Sequence, residues 1–578
     1  MSWTRYEMHK NRKIKKGILK GALLMLFLLL TVFIINFYRA TVEHPPKAGD
    51  LSSLQLVRIE TDTNKFFYGN NWLRKSKSGL YEMYLEGGPF ERGVAFGKLT
   101  RELLYYQEEA FVEQIRKLVP SETYLKFLKY FVGWFSRDLG KHIPEEYLLE
   151  IYGTSFSSSP AFDFIGTGYQ RQLNYHAAHD IGHALQALKM TGCTSFSFWG
   201  GKSSDSTLIT ARNFDFYAGQ KFAENKIIVF CNPESGLKFM MITWADMIGV
   251  VSGMNEKGLT VTINAARSAI PLKATTPVTI LAREILQYAG DIAQAVSISE
   301  KRKLFVSESL LISSAADGKT VIIEKSPEKF DVVLPQSDQI ICANHFLGSA
   351  FSDDKTNIEN IYGSDSKYRF ERVGELLDMV DKVSVRDAAA ILRDRKGRGG
   401  TDPGMGNPLA INQLIAHHSV IFSPSDLLVW ISAGPYQLGE YVAYDLKKVF
   451  SGETAGDPVS REISEPDLSI PADTFLFSAD YSCYGKYLKM TGDLDNYTRN
   501  HEKLPESFET AYIETNPMLY LVYSNLGNYF YENRLYEKAN EYYQMALSKD
   551  VAGEDERNKL LKLTEKVHKK LGNVHSRN

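Results

Sequence analysis

The chain has 578 residues, 44% of them hydrophobic, with a formal net charge of -2. That length can bury a large core and suggests more than one domain. The near-neutral charge excludes nucleic acid as a general partner, and four cysteines exclude a disulfide scaffold.

Residues 1–17 carry Arg5, Lys10, Arg12, Lys13, Lys15 and Lys16 against a single Glu7, and an uncharged apolar run follows at 21–37. Basic charge before an apolar run marks an export signal or signal anchor, with the N-terminus cytoplasmic and the remainder outside. The reading preferred is a single-pass cell-membrane anchor over 18–38, because 37–40 offer no small-x-small cleavage site and no cysteine to lipidate. The alternative is a signal peptide that is removed after export. Residues 39–78, with His44-Pro45-Pro46-Lys47, read as a stiff polar linker holding the body off the membrane.

From 79 the pattern becomes regular. Residues 81–85 read as a strand, and Gly87-Gly88-Pro89 leads into a helix beginning near Val94. Residues 99–190 are mostly helical by periodicity. Within them His176, His179 and His183 fall at spacings of three and four, on one helical face, which is a geometry able to hold a metal. The stretch lacks the glutamate of a zinc protease, so packing or hydrogen bonding is the preferred role and no metal or other cofactor is expected.

Gly192-Cys193-Thr194-Ser195-Phe196 opens a hairpin: an alternating strand over 194–199, a turn from Gly200-Gly201 through Asp205, and a return strand over 207–211. The pairing brings Arg212 and Asp215 back beside Cys193. Were the Gly192–Cys193 bond broken, Cys193 would carry a thiol and a free α-amine, whose ordinary pKa near 8 suits a general base. Gly192 would let the thiol approach its carbonyl and admit the backbone that an N-to-S acyl shift needs. The competing reading is a small buried hydrophobe. Arg212 and Asp215 are then either site residues, steadying a thiolate and orienting an amine, or a structural ion pair.

Further strand pairs are predicted at 226–231 with 238–244, at 248–252 with 259–264, at 310–314 with 320–324 and at 415–422 with 427–432, with a helical period over 279–296. With Cys193 catalytic, one bridge at most is possible among Cys231, Cys342 and Cys483, and core thiols are expected in its place. Strands, then helices, then strands give an α+β chain with two stacked sheets faced by helices. Asn264 and Asn344 have side-chain NH groups able to meet an oxyanion, though Asn264 also suits a strand end. Arg369 suits either the site's surroundings or a solvated helix face. His345 and His417-His418 are set aside, because an α-amine needs no histidine base. After an acidic, proline-bearing linker over 455–510, residues 511–575 are helical. Tyr523, Leu526, Gly527, Phe530, Ala539, Tyr543 and Ala546 occupy the spacing of a tetratricopeptide repeat, with helices over 517–533 and 536–549. A lone repeat cannot bury its own face, so it should dock on the body or on a protein partner.

Gly192-Cys193-Thr194-Ser195-Phe196 with Arg212-Asn213-Phe214-Asp215 resembles the start of the mature chain in the N-terminal nucleophile hydrolases. The resemblance is to the penicillin acyl-coenzyme A acyltransferase branch (peptidase family C45), with the bile salt hydrolases and acid ceramidase as cousins. Asn255-Glu256-Lys257-Gly258-Leu259 with Asn264, Ala343-Asn344-His345-Phe346 and Tyr368-Arg369-Phe370-Glu371-Arg372 follow in the family's order, across roughly 86–446. The resemblance implies a four-layer αββα sandwich, an α-chain over 79–192 and a β-chain over 193–454. It also implies self-cleavage between Gly192 and Cys193 and a site of Cys193, Arg212, Asp215, Asn264, Asn344 and Arg369.

The expected reaction is hydrolysis of a linear amide through a thioester. The substrate would be a small amphiphile of the N-acyl amine or N-acyl amino acid type, since the chain is tethered at a membrane. The alternatives are transfer of the acyl group to an amine, a binding or scaffold protein with a retired site, and a metallohydrolase built on the histidines. Coenzyme A is a poor donor outside the cytoplasm, so that detail of the family is not carried over.

Overall fold

The computed structural model describes residues 3–575 apart from 42–43, 63, 119–120, 185–191, 218, 269–270, 272 and 452–460. The apolar run lies within one unbroken helix, α1 (Trp3–Thr41), of which Lys15–Tyr38 is long and apolar enough to cross a membrane. The linker expectation needs correcting. Residues 59–75 fold as three short strands, β1 (Ile59–Asp62), β2 (Lys65–Tyr68) and β3 (Asn71–Lys75), which pair antiparallel onto β4 (Tyr81–Gly87). Tyr68 donates its hydroxyl to the Ser53 carbonyl, so the stretch after α1 packs on the body.

Helix α2 (Pro89–Leu99) starts earlier than Val94, since Pro89 stands at its first turn and Glu91 accepts from Gly88 N at 3.3 Å. The helical stretch resolves into α3 (Arg101–Leu118), α4 (Glu122–Ser136), α5 (Glu145–Ser155) and α6 (Gly168–Ala184). A Cβ on Gly93 would collide with the Glu150 backbone, so α2 and α5 cross at a distance only glycine permits. The buried Glu150 there takes Arg92 at 2.9 Å and Arg283 at 3.2 Å, which neutralises charge that burial alone would penalise.

Two hairpins follow: β5 (Thr194–Phe198) with β6 (Ile209–Asp215), then β7 (Ile227–Pro233) with β8 (Phe239–Thr243). The strand expected from 248 begins only at β9 (Ser252–Asn255) and pairs with β10 (Leu259–Ala265). Their turn is closed by Asn255, whose Oδ1 accepts from Lys257 N and Leu259 N, with Gly258 at φ 71°. The 279–296 period is two helices, α7 (Val278–Tyr288) and α8 (Ile292–Lys301), the second capped by Asp291. Strands β11 (Glu308–Ser314), β12 (Lys319–Lys325), β13 (Phe330–Val333) and β14 (Gln339–Cys342) come next. Then follow α9 (Lys355–Gly363), α10 (Ser366–Asp378), α11 (Val385–Leu392), β15 (Ala416–Ser423), β16 (Leu428–Ser432), β17 (Tyr441–Asp445) and α12 (Leu446–Ser451).

The strands form an eleven-stranded sheet, β1-β2-β3-β4-β7-β8-β9-β10-β11-β12-β13, and a six-stranded sheet, β14-β5-β6-β15-β16-β17. Alternation along each strand separates the faces. Ile228, Phe230 and Ile242 of the large sheet meet Val420, Phe422 and Tyr444 of the small one. On the large sheet's other face, Val229, Met241, Val261 and Ile312 pack on α2, α5 and α7. On the small sheet's other face, Phe196, Phe198 and Ala211 pack on Val373 and Leu377 of α10 and Ala388 and Leu392 of α11. The layers therefore run helix, sheet, sheet, helix, and each fully buried aliphatic or aromatic side chain contributes about 1.5–3 kcal/mol.

The linker expected over 455–510 is corrected by α13 (Ala479–Asn500), which buries Tyr484, Tyr487 and Leu494 in one core with α14 (Phe508–Thr515), α15 (Tyr520–Glu532), α16 (Tyr536–Leu547) and α17 (Gly553–His575). This aromatic core also includes Leu409, Leu414 and Leu438 from the body. Asn516 and Met405 exchange hydrogen bonds at 3.1 and 2.8 Å, and Asn407 donates to the Asp550 carbonyl. The helices lie on the body.

Candidate active site

Strand register sets the site. Thr194 faces Asn213 and Ser195 faces Arg212 across β5 and β6, so the residue before β5 lies beside the end of β6. Cys193 is 1% exposed. Its Sγ sits 3.9 Å from the Asp215 carbonyl oxygen and 3.5 Å from Arg212 Nη2. Burial pushes the thiol pKa up while Arg212 pulls it down. The guanidinium of Arg212 is fully buried between the sheets, donating to the carbonyls of Val251 and Ile263 and, at 2.6 Å, to Ser252 Oγ. It thereby ties the thiol to β10 and to the start of β9.

Arg369 of α10 approaches from the opposite face of the small sheet. Its Nη1 donates to the Cys193 carbonyl at 2.7 Å and to Thr194 Oγ1 at 2.8 Å, and its Nη2 to Asn344 Oδ1 at 2.8 Å and Asp365 Oδ1 at 3.0 Å. Asp215 is buried, and neither carboxylate oxygen has a hydrogen-bond partner among the described residues. Loss of water pushes its pKa up to about 7, against the pull of Arg369 and Arg212.

The two asparagines are engaged differently from the oxyanion reading. Asn264 gives its amide hydrogens to the Cys342 and Ala343 carbonyls, each at 3.1 Å, and accepts from Ser195 Oγ at 2.7 Å. It fastens β10 to the end of β14. Asn344 donates from Nδ2 to the Ala265 carbonyl at 2.8 Å, and its own carbonyl accepts from Asn360. The structure therefore gathers Cys193, Arg212, Asp215 and Arg369 directly, with Asn344 joined through Arg369 and Asn264 through Ser195.

Gly192 is held at both its backbone nitrogen and its carbonyl. Gly192 N donates to the Asp215 carbonyl at 3.0 Å, and the Gly192 carbonyl accepts from Gln413 Nε2 at 2.8 Å. Sequence reading missed Gln413, which lies 221 residues away with no local pattern to mark it. It also missed Ser252, which bridges Arg212 to His418 Nε2 at 2.8 Å. His417 and His418 are buried between the sheets with their pKa values pushed well below the usual range by loss of water.

His176 is a packing residue. Its Nδ1 contacts the Gln172 carbonyl at 2.7 Å and its Nε2 accepts from Ile248 N at 3.0 Å, so both ring nitrogens are used, and burial lowers its pKa to about 4. Asp180 accepts from Val278 N at the start of α7. The side chains of His179 and His183 lie outside the described residues, as does 185–191 just before the scissile bond. Two surface cavities, of about 780 and 370 Å³, are lined by the Gly87–Glu91 turn with Glu234 and by Phe346, Phe351 and Phe370 respectively, and neither is lined by Cys193.

Residues 200–432 match the family described as acyl-coenzyme A:6-aminopenicillanic acid acyl-transferase, and Cys193 stands just before the matched segment. An uncharacterized protein of Archaeoglobus fulgidus is 23% identical over 464 residues, 70% of this chain and 73% of its own. Among solved structures the chain is similar to the Caenorhabditis elegans N-acylethanolamine-hydrolyzing acid amidase ortholog, with 17% identity and a TM-score of 0.30. That likeness covers 40% of this chain and 93% of the other. It is also similar to a mutant conjugated bile acid hydrolase from Clostridium perfringens, with 15% identity and a TM-score of 0.30, covering 44% and 93%. Over residues 200–432 the chain is thus similar to the acyl-coenzyme A:6-aminopenicillanic acid acyl-transferase family.

Proposed function

We propose that this chain is a membrane-anchored amidase that activates itself by cutting between Gly192 and Cys193, then hydrolyses a linear amide through a thioester on Cys193. The observation that carries this is the thiol itself. It is 1% exposed, with the Arg212 guanidinium 3.5 Å away, and the nitrogen that cleavage would free is its own. Cleavage leaves an α-amine on Cys193 as general base, and Asp215, a buried carboxylate with no hydrogen-bond partner on either oxygen among the described residues, is the group to orient it. Arg212 steadies the thiolate and Arg369 holds the Cys193 backbone. The Asn344 amide has a second hydrogen to offer the oxyanion. Asn264 positions β10.

The substrate class proposed is an N-acyl amine or N-acyl amino acid, drawn from the membrane. Helix α4 supports this, since Phe127 and Phe131 are 65% and 64% exposed on one face. The Tyr130 ring lies 4.9 Å from that of Phe37, tilted by 37°, at the C-terminal end of the apolar run in α1. Aromatic side chains at such a level suit a membrane interface. The catalytic part would lie outside the cytoplasm. Acyl transfer to an amine is the second reading, because the same thioester serves both and the matched family is named for transfer.

The test is incubation of the purified full chain with N-acyl amines of graded chain length, with and without an added amine acceptor, beside Cys193→Ala. Release of free acid by the native chain alone supports hydrolysis. Accumulation of the new amide in its place makes the chain a transferase, and equal activity in Cys193→Ala removes the thiol from the mechanism.

A further inference from the structure

Self-cleavage requires something to receive the negative charge that develops on the Gly192 carbonyl oxygen when the thiol adds to its carbon. That oxygen accepts from Gln413 Nε2 at 2.8 Å. Gln413 is 4% exposed, so the amide works away from water, where a preformed donor counts most. Its approach depends on Gly192 being glycine, since a Cβ there would lie 2.6 Å from Gln413 Oε1.

The segment bearing Gln413 is held from several sides. Asn213, next to Arg212 on β6, donates to the Leu392 and Ile411 carbonyls at 2.9 and 3.0 Å. Asn412 N donates to the Asp394 carbonyl at 2.8 Å, and Leu414 takes φ 54°, a left-handed conformation uncommon outside glycine. Such backbone persists where surrounding bonds over-determine it. The asparagine between Arg212 and Phe214 thus acts on the other side of the scissile bond, by fixing the loop that aims Gln413.

We propose that Gln413 is the oxyanion donor of the self-cleavage step. The inference rests on the self-processing reading above. Cys193 Sγ gives up its proton and bonds to the Gly192 carbonyl carbon, whose oxygen takes the electron pair and is held by Gln413 Nε2–H. When the pair returns, the bond from that carbon to the Cys193 nitrogen breaks, and the nitrogen takes up a proton to become the α-amine. Water then hydrolyses the thioester, releasing the Gly192 carboxylate and restoring the thiol.

The experiment follows cleavage of the newly made full chain over time, by gel and intact mass, for the native sequence, Cys193→Ala, Gln413→Met and Gln413→Glu, with melting curves for each. Loss of one oxyanion donor slows such steps by about 100- to 1000-fold, and that is the slowing expected for Gln413→Met. In Gln413→Glu the neutral acid keeps a donor whereas the carboxylate repels the oxyanion. Its cleavage rate relative to the native chain should therefore rise as pH falls from about 8 to about 5. A purely structural role would give no such recovery, and this variant decides the matter should Gln413→Met fail to fold. Native cleavage with Gln413→Met within about threefold of it, or a flat Gln413→Glu ratio, overturns the role of Gln413 and leaves self-processing standing. A native chain that is never cut removes both.

Discussion

Asp215 offers a quantitative test, because in the uncut chain its carboxyl group is a liability. It is fully buried, neither oxygen has a hydrogen-bond partner among the described residues, and its pKa rises from 3.8 to about 7. Between those values the folded chain holds a proton that the unfolded chain has released. Stability contributed by this group is therefore full below about pH 4, falls as pH rises, and levels off above about pH 7. A shift of that size amounts to roughly 4 kcal/mol at full ionisation. Asp215→Asn keeps the shape and removes the titration. In a Cys193→Ala background, which stays uncut, the chain with Asp215→Asn added is expected to be the more stable at pH 8, with the gap widening by roughly 3 kcal/mol between pH 4.5 and pH 8. Chemical denaturation at both pH values measures this. A gap that is constant with pH, or an Asp215→Asn chain less stable at pH 8, refutes the account of Asp215. After cleavage the sign should reverse, since the new ammonium beside the carboxylate stabilises its charged form.

Two further outcomes are expected. Arg212→Lys keeps a positive charge but loses the planar fork that reaches Cys193 Sγ, Ser252 Oγ and the Val251 and Ile263 carbonyls. Self-cleavage and the subsequent alkylation of the thiol by iodoacetamide should both slow by about tenfold or more, as for a thiol pKa raised by one unit. Phe127→Ser with Phe131→Ser should lower activity toward an N-acyl amine presented in vesicles by about tenfold, while a short-chain soluble amide is cleaved at the native rate. Equal losses on both substrates would take α4 away from the membrane.

The β5–β6 hairpin was legible because strand alternation, a Gly200-Gly201 turn and pairing geometry are all local, and together they carry Arg212 and Asp215 back to Cys193. The same holds for α15 and α16, which fall within the predicted helices. The strands over 59–75 were illegible for a physical reason: β1 is exposed along its length and all three are four or five residues long, so they show too little period to separate from a polar linker. The start of α2 was placed late, although Pro89 after glycine is the expected signal. Asn264 and Asn344 were identified as residues near the site, but their partners are backbone carbonyls of distant strands, which no spacing discloses. Gln413 and Ser252 reach the scissile bond and Arg212 only through sheet stacking and loop closure, and nothing around them in sequence announces it.

The central claim is that the Gly192–Cys193 bond breaks to make the enzyme. Intact mass and N-terminal sequencing of the purified chain, beside Cys193→Ala, test it most directly. The expected result is two chains, the second beginning Cys-Thr-Ser-Phe, and a single chain for Cys193→Ala. A native chain that is folded yet remains whole would contradict the claim, since Cys193 would then lack its α-amine.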